Sequence, residues 1–224
     1  MRSRSVMPQH SARTIKNYIK GRFAAAFFVP ACVAIGLFAC SHRQAALSLE
    51  DQDKWREGDL VLRCGYGMES RVVTNRTRSA FSHIGMLHYD SLKSEWQVIH
   101  AVPAEDEPEY LKTEPVTRFF CSERAERGAW LRVNCSDSIA CEAVRYALGK
   151  VEKQVLFDND YLLGDSTRLY CTELVWRAYS KQGIDISGGR RHSVPTLFCK
   201  EGEGIFPYDI EKSETTLFVK PLKH

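Results

Sequence analysis

The 224-residue sequence lacks several patterns that would assign it to a common class of protein. It contains no CxxC pair and no Cys/His cluster with the spacing of zinc ligands, so we expect neither a metal site nor a cofactor. After Trp55 it has no long linker rich in Pro, Gly or Ser, no internal repeat and no low-complexity run. Residues 55–224 are therefore predicted to form one domain, which is long enough to bury a core.

Positive charge is in excess only at the N-terminus. The first 39 residues hold six Lys or Arg and no acidic residue, whereas the whole chain has 31 basic and 28 acidic residues. Subtracting those six leaves 25 basic against 28 acidic residues, a net charge of −3 for the remainder. This composition does not provide the basic surface typical of nucleic-acid-binding proteins, so no nucleic-acid partner is expected.

An apolar run follows the basic N-terminal residues. It reads FAAAFFVPACVAIGLFA at 23–39 and is interrupted by Pro30. A spanning helix needs about 20 apolar residues, so an export signal is favoured over a retained membrane anchor. Residues 37–40, LFAC, resemble a bacterial lipobox, which implies cleavage before Cys40 and lipidation of its thiol. We therefore expect a signal peptide at 1–39 and a lipidated tether at 40–54.

Short apolar or alternating runs bounded by turn residues predict five strands. They are GDLVLRCG at 58–65, HIGMLHYD at 83–90, WQVIHAVP at 96–103, AWLRVN at 129–134 and TLFVKPL at 216–222. A helix is predicted at 137–151, with Ser136 or Asp137 as its cap. Its predicted inward face carries Cys141, Val144 and Leu148, so Cys141 is interpreted as a core residue.

Cys171 opens the second predicted helix, at 171–182, which ends before Gly183. Its apolar stripe consists of Cys171, Leu174, Val175 and Ala178. Glu173 and Arg177 are expected to form an ion pair on the side that faces water. Cys171 could be a core residue or half of a disulfide. It could also be a nucleophile, because the N–H groups and dipole at a helix N-terminus lower the pKa of a thiol.

A nucleophilic cysteine needs a histidine beside it and a third group to orient that histidine. His83 opens one predicted strand, and His100 lies inside the next. A hairpin that turns near residues 91 and 92 would place these two side chains opposite each other, about 5 Å apart at Cβ. His88 and His192 are interpreted as surface residues.

Five segments, GDLVLR, FSHIGML, WQVIHAVP, FDNDYLL and RLYCTELVWRAY, occur in this order. Together they resemble the circularly permuted branch of the NlpC-type papain-like cysteine hydrolases, the YiiX/YaeF-like group, over residues 55–182. The resemblance implies an α+β fold with a small antiparallel sheet or barrel packed on helices. It further implies that Cys171 is the nucleophile, His83 the general base and His100 the third, orienting residue, a place where relatives often have glutamate.

Three more residues come from the same resemblance. The Tyr-Cys pair makes Tyr170 a residue expected to support the site. The FDNDYLL segment makes Asp160 and Tyr161 candidates for shaping the pocket, with a plain capped turn as the equal alternative.

The expected function is a cysteine peptidase or amidase of the bacterial cell envelope. The lipid anchor would hold it on the membrane, facing the periplasm from the outer membrane, where peptidoglycan stem peptides are candidate substrates. A lipid deacylase, acyltransferase or thioesterase acting through the same site is the second interpretation. An envelope-binding lipoprotein that keeps the fold without the chemistry is the third.

Overall fold

The computed structural model describes residues 46–103, 109–164, 166–195 and 201–223. The predicted signal peptide and the predicted lipidation site, Cys40, lie outside these ranges. Within the ranges, none of the helices combines the length and the apolar character that crossing a membrane would require.

The described residues form ten strands and five α-helices, preceded by a 3-10 turn at Gln52–Lys54. The strands are β1 (Leu60–Cys64), β2 (His83–Asp90), β3 (Glu95–His100), β4 (Lys112–Pro115), β5 (Arg127–Val133), β6 (Leu156–Phe157), β7 (Arg168–Leu169), β8 (His192–Pro195), β9 (Glu201–Gly204) and β10 (Thr216–Leu222). The helices are α1 (Met68–Thr77), α2 (Val116–Phe119), α3 (Asp137–Glu152), α4 (Cys171–Ser180) and α5 (Pro207–Glu211). The five strands predicted from the sequence correspond to β1, β2, β3, β5 and β10.

Six strands form one antiparallel sheet in the order β10-β5-β1-β2-β3-β4. The sheet is open, with β10 and β4 at its edges, so the barrel named as an alternative above is not formed. Along the edge strand β10, the register shifts between Phe218 and Lys220. Leu217, Phe218 and Val219 are exposed there.

Side chains that alternate along the strands bury both faces of the sheet. One face packs against α3 and α4 and includes Leu60, Leu62, Ile84, Met86 and Leu131. The other face includes Val61, Leu87, Val98 and Trp130 and packs against Phe119 and Phe120 at the end of α2. Burial of each such large apolar side chain stabilises the fold by roughly 1.5–3 kcal/mol. The sheet is therefore held firmly from both sides.

The β2–β3 hairpin has a different register from the predicted one. Asp90 pairs with Glu95, and the turn occupies the four residues 91–94. The Asp90 carboxylate stabilises this turn by accepting the backbone N–H of Leu92 at 3.0 Å. The predicted register was wrong by two residues. Because side chains alternate with a period of two, a shift of two keeps His83 and His100 on the same face of the sheet.

Helix α3 begins as predicted, with Ser136 Oγ accepting the backbone N–H of Ile139 at 3.4 Å. Its buried residues are Ala140, Ala143, Val144 and Ala147. The interpretation of Cys141 as a core residue was wrong, because the buried stripe starts at position 140 and leaves Cys141 exposed.

Helix α4 carries the predicted buried stripe, but it is buried on a second side as well. Glu173 is fully buried, so the expectation that it faces water was wrong. Burial raises the pKa of Glu173 to about 7, although Arg177 and the backbone of Gly164 act in the opposite direction. Arg177 forms the expected ion pair, with its Nη2 2.7 Å from Glu173 Oε1. The first turn of α4 is therefore buried on both of these sides.

Candidate active site

A cleft of about 330 Å³ lies at the N-terminal end of α4. Cys171 and His83 both line it, together with Arg63, Glu69 and Tyr161. The structure therefore brings together the two residues that the sequence assigned to nucleophile and base. They come from α4 and from the start of β2, which are 88 residues apart in the chain (171 − 83).

Cys171 is the first residue of α4, and its side chain is buried with a free thiol. Its Sγ lies 3.7 Å from Thr172 Oγ1. Burial raises the pKa of the Cys171 thiol, whereas the Thr172 hydroxyl and the backbone N–H groups of Ile84, Thr172 and Cys171 act in the opposite direction. The expectation of a lowered pKa was wrong, because desolvation outweighs the helix N-terminus.

Two further polar side chains, His100 and Glu114, continue from His83, each in contact with the next. His83 Nε2 is 2.9 Å from His100 Nδ1, and His100 Nε2 is 3.2 Å from Glu114 Oε1. The first distance is a hydrogen bond; the second is a close polar contact that does not have the alignment of a hydrogen bond. On its far side Glu114 accepts a hydrogen bond from Arg124 Nη1 at 3.0 Å. His100 and Glu114 are both buried, so the chain His83–His100–Glu114 is shielded from water.

This order of groups determines which nitrogen of His83 carries a proton. An ionised Glu114 can only accept, so the neutral His100 ring keeps its proton on Nε2, which faces the carboxylate. His100 Nδ1 then holds a lone pair and accepts the Nε2–H of His83. The proton of the neutral His83 ring is thereby on Nε2, and His83 Nδ1 is free to act as a base.

The pKa values of these groups favour the same protonation states. Burial, with the nearby charges of Arg63, His100 and Lys112, holds the pKa of His83 well below its usual 6.5. Burial also lowers the pKa of His100 to about 4, although Glu114 opposes this shift. For Glu114, burial acts to raise the pKa, but the contact with His100 and the surrounding cations lower it to about 2. At neutral pH the two imidazoles are uncharged and the carboxyl is ionised.

The remaining predicted residues, Tyr161, Tyr170 and Asp160, differ in their relation to the cleft. Tyr161 lines the cleft with a left-handed backbone, φ 57°, which is unusual for a residue other than glycine. Tyr170 is buried next to Cys171, and its hydroxyl accepts the backbone N–H of Ile205 at 2.8 Å. Asp160 is exposed, and its backbone N–H donates to Asp158 Oδ1 at 3.0 Å, as in a capped turn.

Glu114 was not predicted as a site residue. The segment KTEP, which forms β4, is short and has little apolar character, so it was not predicted as a strand. The position of His100 inside a strand nevertheless indicated that a further polar residue lies beside it, because a buried histidine needs polar partners for both ring nitrogens. In the fold, β4 pairs with β3 and supplies the second partner of His100.

These features define a class of protein. A cysteine at the start of a buried helix shares a cleft with a histidine from an antiparallel sheet, and further polar groups hold the histidine ring. That is the arrangement of a papain-like cysteine hydrolase, with the histidine strand placed before the cysteine helix in the chain.

Comparison with known proteins identifies the family. Residues 54–206 match the model of the permuted papain-like amidase enzymes, YaeF/YiiX, C92 family, so the chain belongs to this family of cysteine peptidases and amidases. Among solved structures, the fold is similar to that of the metalloprotein YiiX from Escherichia coli O157:H7, with a TM-score of 0.62 and 18% sequence identity. The similarity covers 74% of this chain and 96% of that one. A search of curated proteins found no match.

The solved relative is described as a metalloprotein. In the part of the present chain that the structure describes, no group of three or more His, Cys, Asp and Glu side chains is placed to hold a metal ion. That description is a property of the relative.

Proposed function

We propose that this protein hydrolyses amide bonds in the cell envelope, with Cys171 as the nucleophile, His83 as the general base and His100 as the orienting residue. The observation that carries the proposal is the cleft that Cys171 and His83 share, with His83 Nε2 bound to His100 at 2.9 Å. Family membership makes the protein a cysteine hydrolase or amidase; the residue roles and the substrate are our inference.

In the first step, His83 Nδ1 takes the proton of the Cys171 thiol as the sulfur attacks the carbonyl carbon of the amide. A carbon–sulfur bond forms, and the carbonyl π electrons move to oxygen. The backbone N–H groups at the start of α4 can donate to this oxyanion; loss of one such donor typically costs about 3 kcal/mol of barrier. Because thiol and imidazole are both uncharged at rest, proton transfer accompanies attack rather than preceding it.

In the second step, the carbon–nitrogen bond breaks, and the proton on His83 passes to the leaving amine. The lowered pKa of His83 makes its protonated form a stronger acid than an ordinary imidazolium, which favours this transfer. His83 Nδ1 then removes a proton from water, whose oxygen attacks the thioester. Collapse of that intermediate releases the carboxylic acid and returns the proton to the Cys171 sulfur.

Peptidoglycan stem peptides are the substrates we propose. The support is the pattern of the N-terminal sequence, in which basic residues, an apolar run at 23–39 and the LFAC segment favour export and lipidation at Cys40. An enzyme anchored in this way would meet amide bonds of the cell wall.

Replacement of Cys171 by alanine tests the proposal. The Cys171→Ala protein should lose at least about a thousandfold in turnover of stem-peptide fragments while its unfolding temperature stays close to that of the parent. Cys141→Ala, which removes an exposed cysteine from α3, is the matched control and should keep full activity. Retained turnover in Cys171→Ala would refute the assignment. Cleavage of lipid esters without cleavage of peptides would favour the deacylase alternative.

A further inference from the structure

A second cavity, of about 540 Å³, lies at the C-terminal end of α1. Three basic side chains line it, Arg76, Arg191 and His192, together with the aromatic rings of Phe206 and Tyr208. We propose that this cavity binds a carboxylate of the substrate, so that the enzyme prefers acidic peptides. The inference rests on the amidase function proposed above and names the class of substrate.

The basic groups come from separate parts of the chain and are fixed by contacts within the protein. Arg76 Nη2 donates to the backbone carbonyl of Ser193 at 2.8 Å, which ties α1 to β8. The Arg191 guanidinium lies over the Trp176 ring, with Cζ 4.8 Å from the ring centroid. His192 Nε2 is 2.8 Å from Asp209 Oδ1. Because contacts already position these side chains, binding an anion would cost little ordering entropy.

The charges at this cavity are only partly compensated. Asp209 contacts His192, and the Asp185 carboxylate lies 3.4 Å from Arg191 Nη2. The hydrogen bond of Arg76 goes to a carbonyl, which carries no net charge. Among the described residues that line the cavity there is no Asp or Glu. A guanidinium with remaining N–H donors suits a carboxylate, which it can bind through two parallel hydrogen bonds.

Helix α1 connects the cavity with the catalytic cleft. Ser70 and Val73 line the cleft, and Arg76 and Thr77 line the second cavity. Helix residues three or four apart are neighbours on one side, about 5 Å apart along the axis. An extended peptide advances about 3.3 Å per residue, so a substrate that lies along α1 would pass from Val73 in the cleft to Arg76 within about two residues.

Binding is tested separately from catalysis, in the full-length Cys171→Ala protein. Titration calorimetry with glutarate should show binding, and Arg76→Gln in the same background should weaken it at least tenfold. Glutamine is too short to keep the contact that Arg76 Nη2 makes with the Ser193 carbonyl, so the unfolding temperature of Arg76→Gln is measured beside that of the parent. Arg71→Gln, also on the exposed surface of α1, is the matched control and should bind glutarate like the parent.

Turnover provides the second measurement. Two peptides that differ only by Glu or Gln two residues from the cleaved bond should differ at least tenfold in kcat/KM. Arg76→Gln should abolish this difference, whereas Arg71→Gln should keep it and leave the rate on the Gln peptide unchanged.

Absence of glutarate binding, or binding that Arg76→Gln does not weaken, would overturn the inference even if Cys171 proves to be the nucleophile. Binding of inorganic phosphate with no preference for the Glu peptide would show a free-anion site and would also overturn it. If no amide is cleaved at all, the proposed function fails, whatever the titrations show.

Discussion

Glu114→Gln tests the polar chain behind His83 with almost no change in side-chain shape. Glutamine keeps the length of the side chain but removes the charge that faces His100 Nε2 at 3.2 Å and Arg124 Nη1 at 3.0 Å. We expect the His100–Glu114 contact to align as a hydrogen bond when positive charge develops on the imidazoles during catalysis. A hydrogen bond to a charged group contributes about 1.5–3 kcal/mol and a neutral one about 0.5–1.5 kcal/mol. The difference, about 1–2 kcal/mol, corresponds to roughly a 5–30-fold fall in rate. Because Glu114 is buried behind His100, the fall should appear in kcat with little change in KM.

Two assays measure this effect. The first is the kinetics of amide hydrolysis; the second, independent of the substrate, is the rate at which iodoacetamide alkylates Cys171 near pH 7, followed by mass spectrometry of the peptide. Both rates should fall in Glu114→Gln. Glu142→Gln is the control, since Glu142 forms an ion pair with Arg145 on the exposed surface of α3. A folded Glu114→Gln protein with unchanged rates would refute the reasoning. A less stable protein with normal kcat would show that Glu114 only holds β4 in place.

Two more predictions concern stability and packing. As the pH falls from 6.5 to about 4, the unfolded chain takes up a proton on His100 before the folded protein does, so the free energy of unfolding should fall by about 3 kcal/mol through this residue. Urea unfolding across this pH range should show a shallower loss in His100→Gln, and equal slopes would contradict the buried neutral imidazole. A Cβ at Gly85 would overlap Val98 and lie 3.3 Å from His100 Cβ, so Gly85→Ala should cost about 1–3 kcal/mol and reduce activity. Gly149→Ala, where a Cβ meets nothing within 4 Å on α3, should instead stabilise the protein in thermal unfolding, and similar effects of both changes would refute the packing argument.

The sequence allowed prediction of those features that depend on periodicity. The stripe that begins at Cys171 predicted α4 and its buried side. Alternation along β2 and β3 placed His83 and His100 on one face, even though the turn was misplaced by two residues. Both predictions survive small errors in boundaries, because a side chain changes face only when a strand shifts by an odd number of residues.

Burial and contacts that arise from segments distant in the chain could not be predicted from periodicity. Glu173 is fully buried, with the backbone of Gly164 beside its carboxyl group, and no spacing within α4 indicates this burial. The pKa of Cys171 depends on the same kind of information, since burial of the sulfur outweighs the helix N-terminus. Glu114 reaches His100 only because β4 pairs with β3.

The edge strand β10 has a consequence for solubility. It exposes three consecutive apolar side chains, and a straight edge of this kind would be a template on which further molecules add strands and aggregate. The irregularity between Phe218 and Lys220 interrupts the row of hydrogen-bonding groups, and Pro221 has no N–H to donate. Replacing Pro221 or straightening this strand would therefore turn a tolerated hydrophobic edge into a site for self-association.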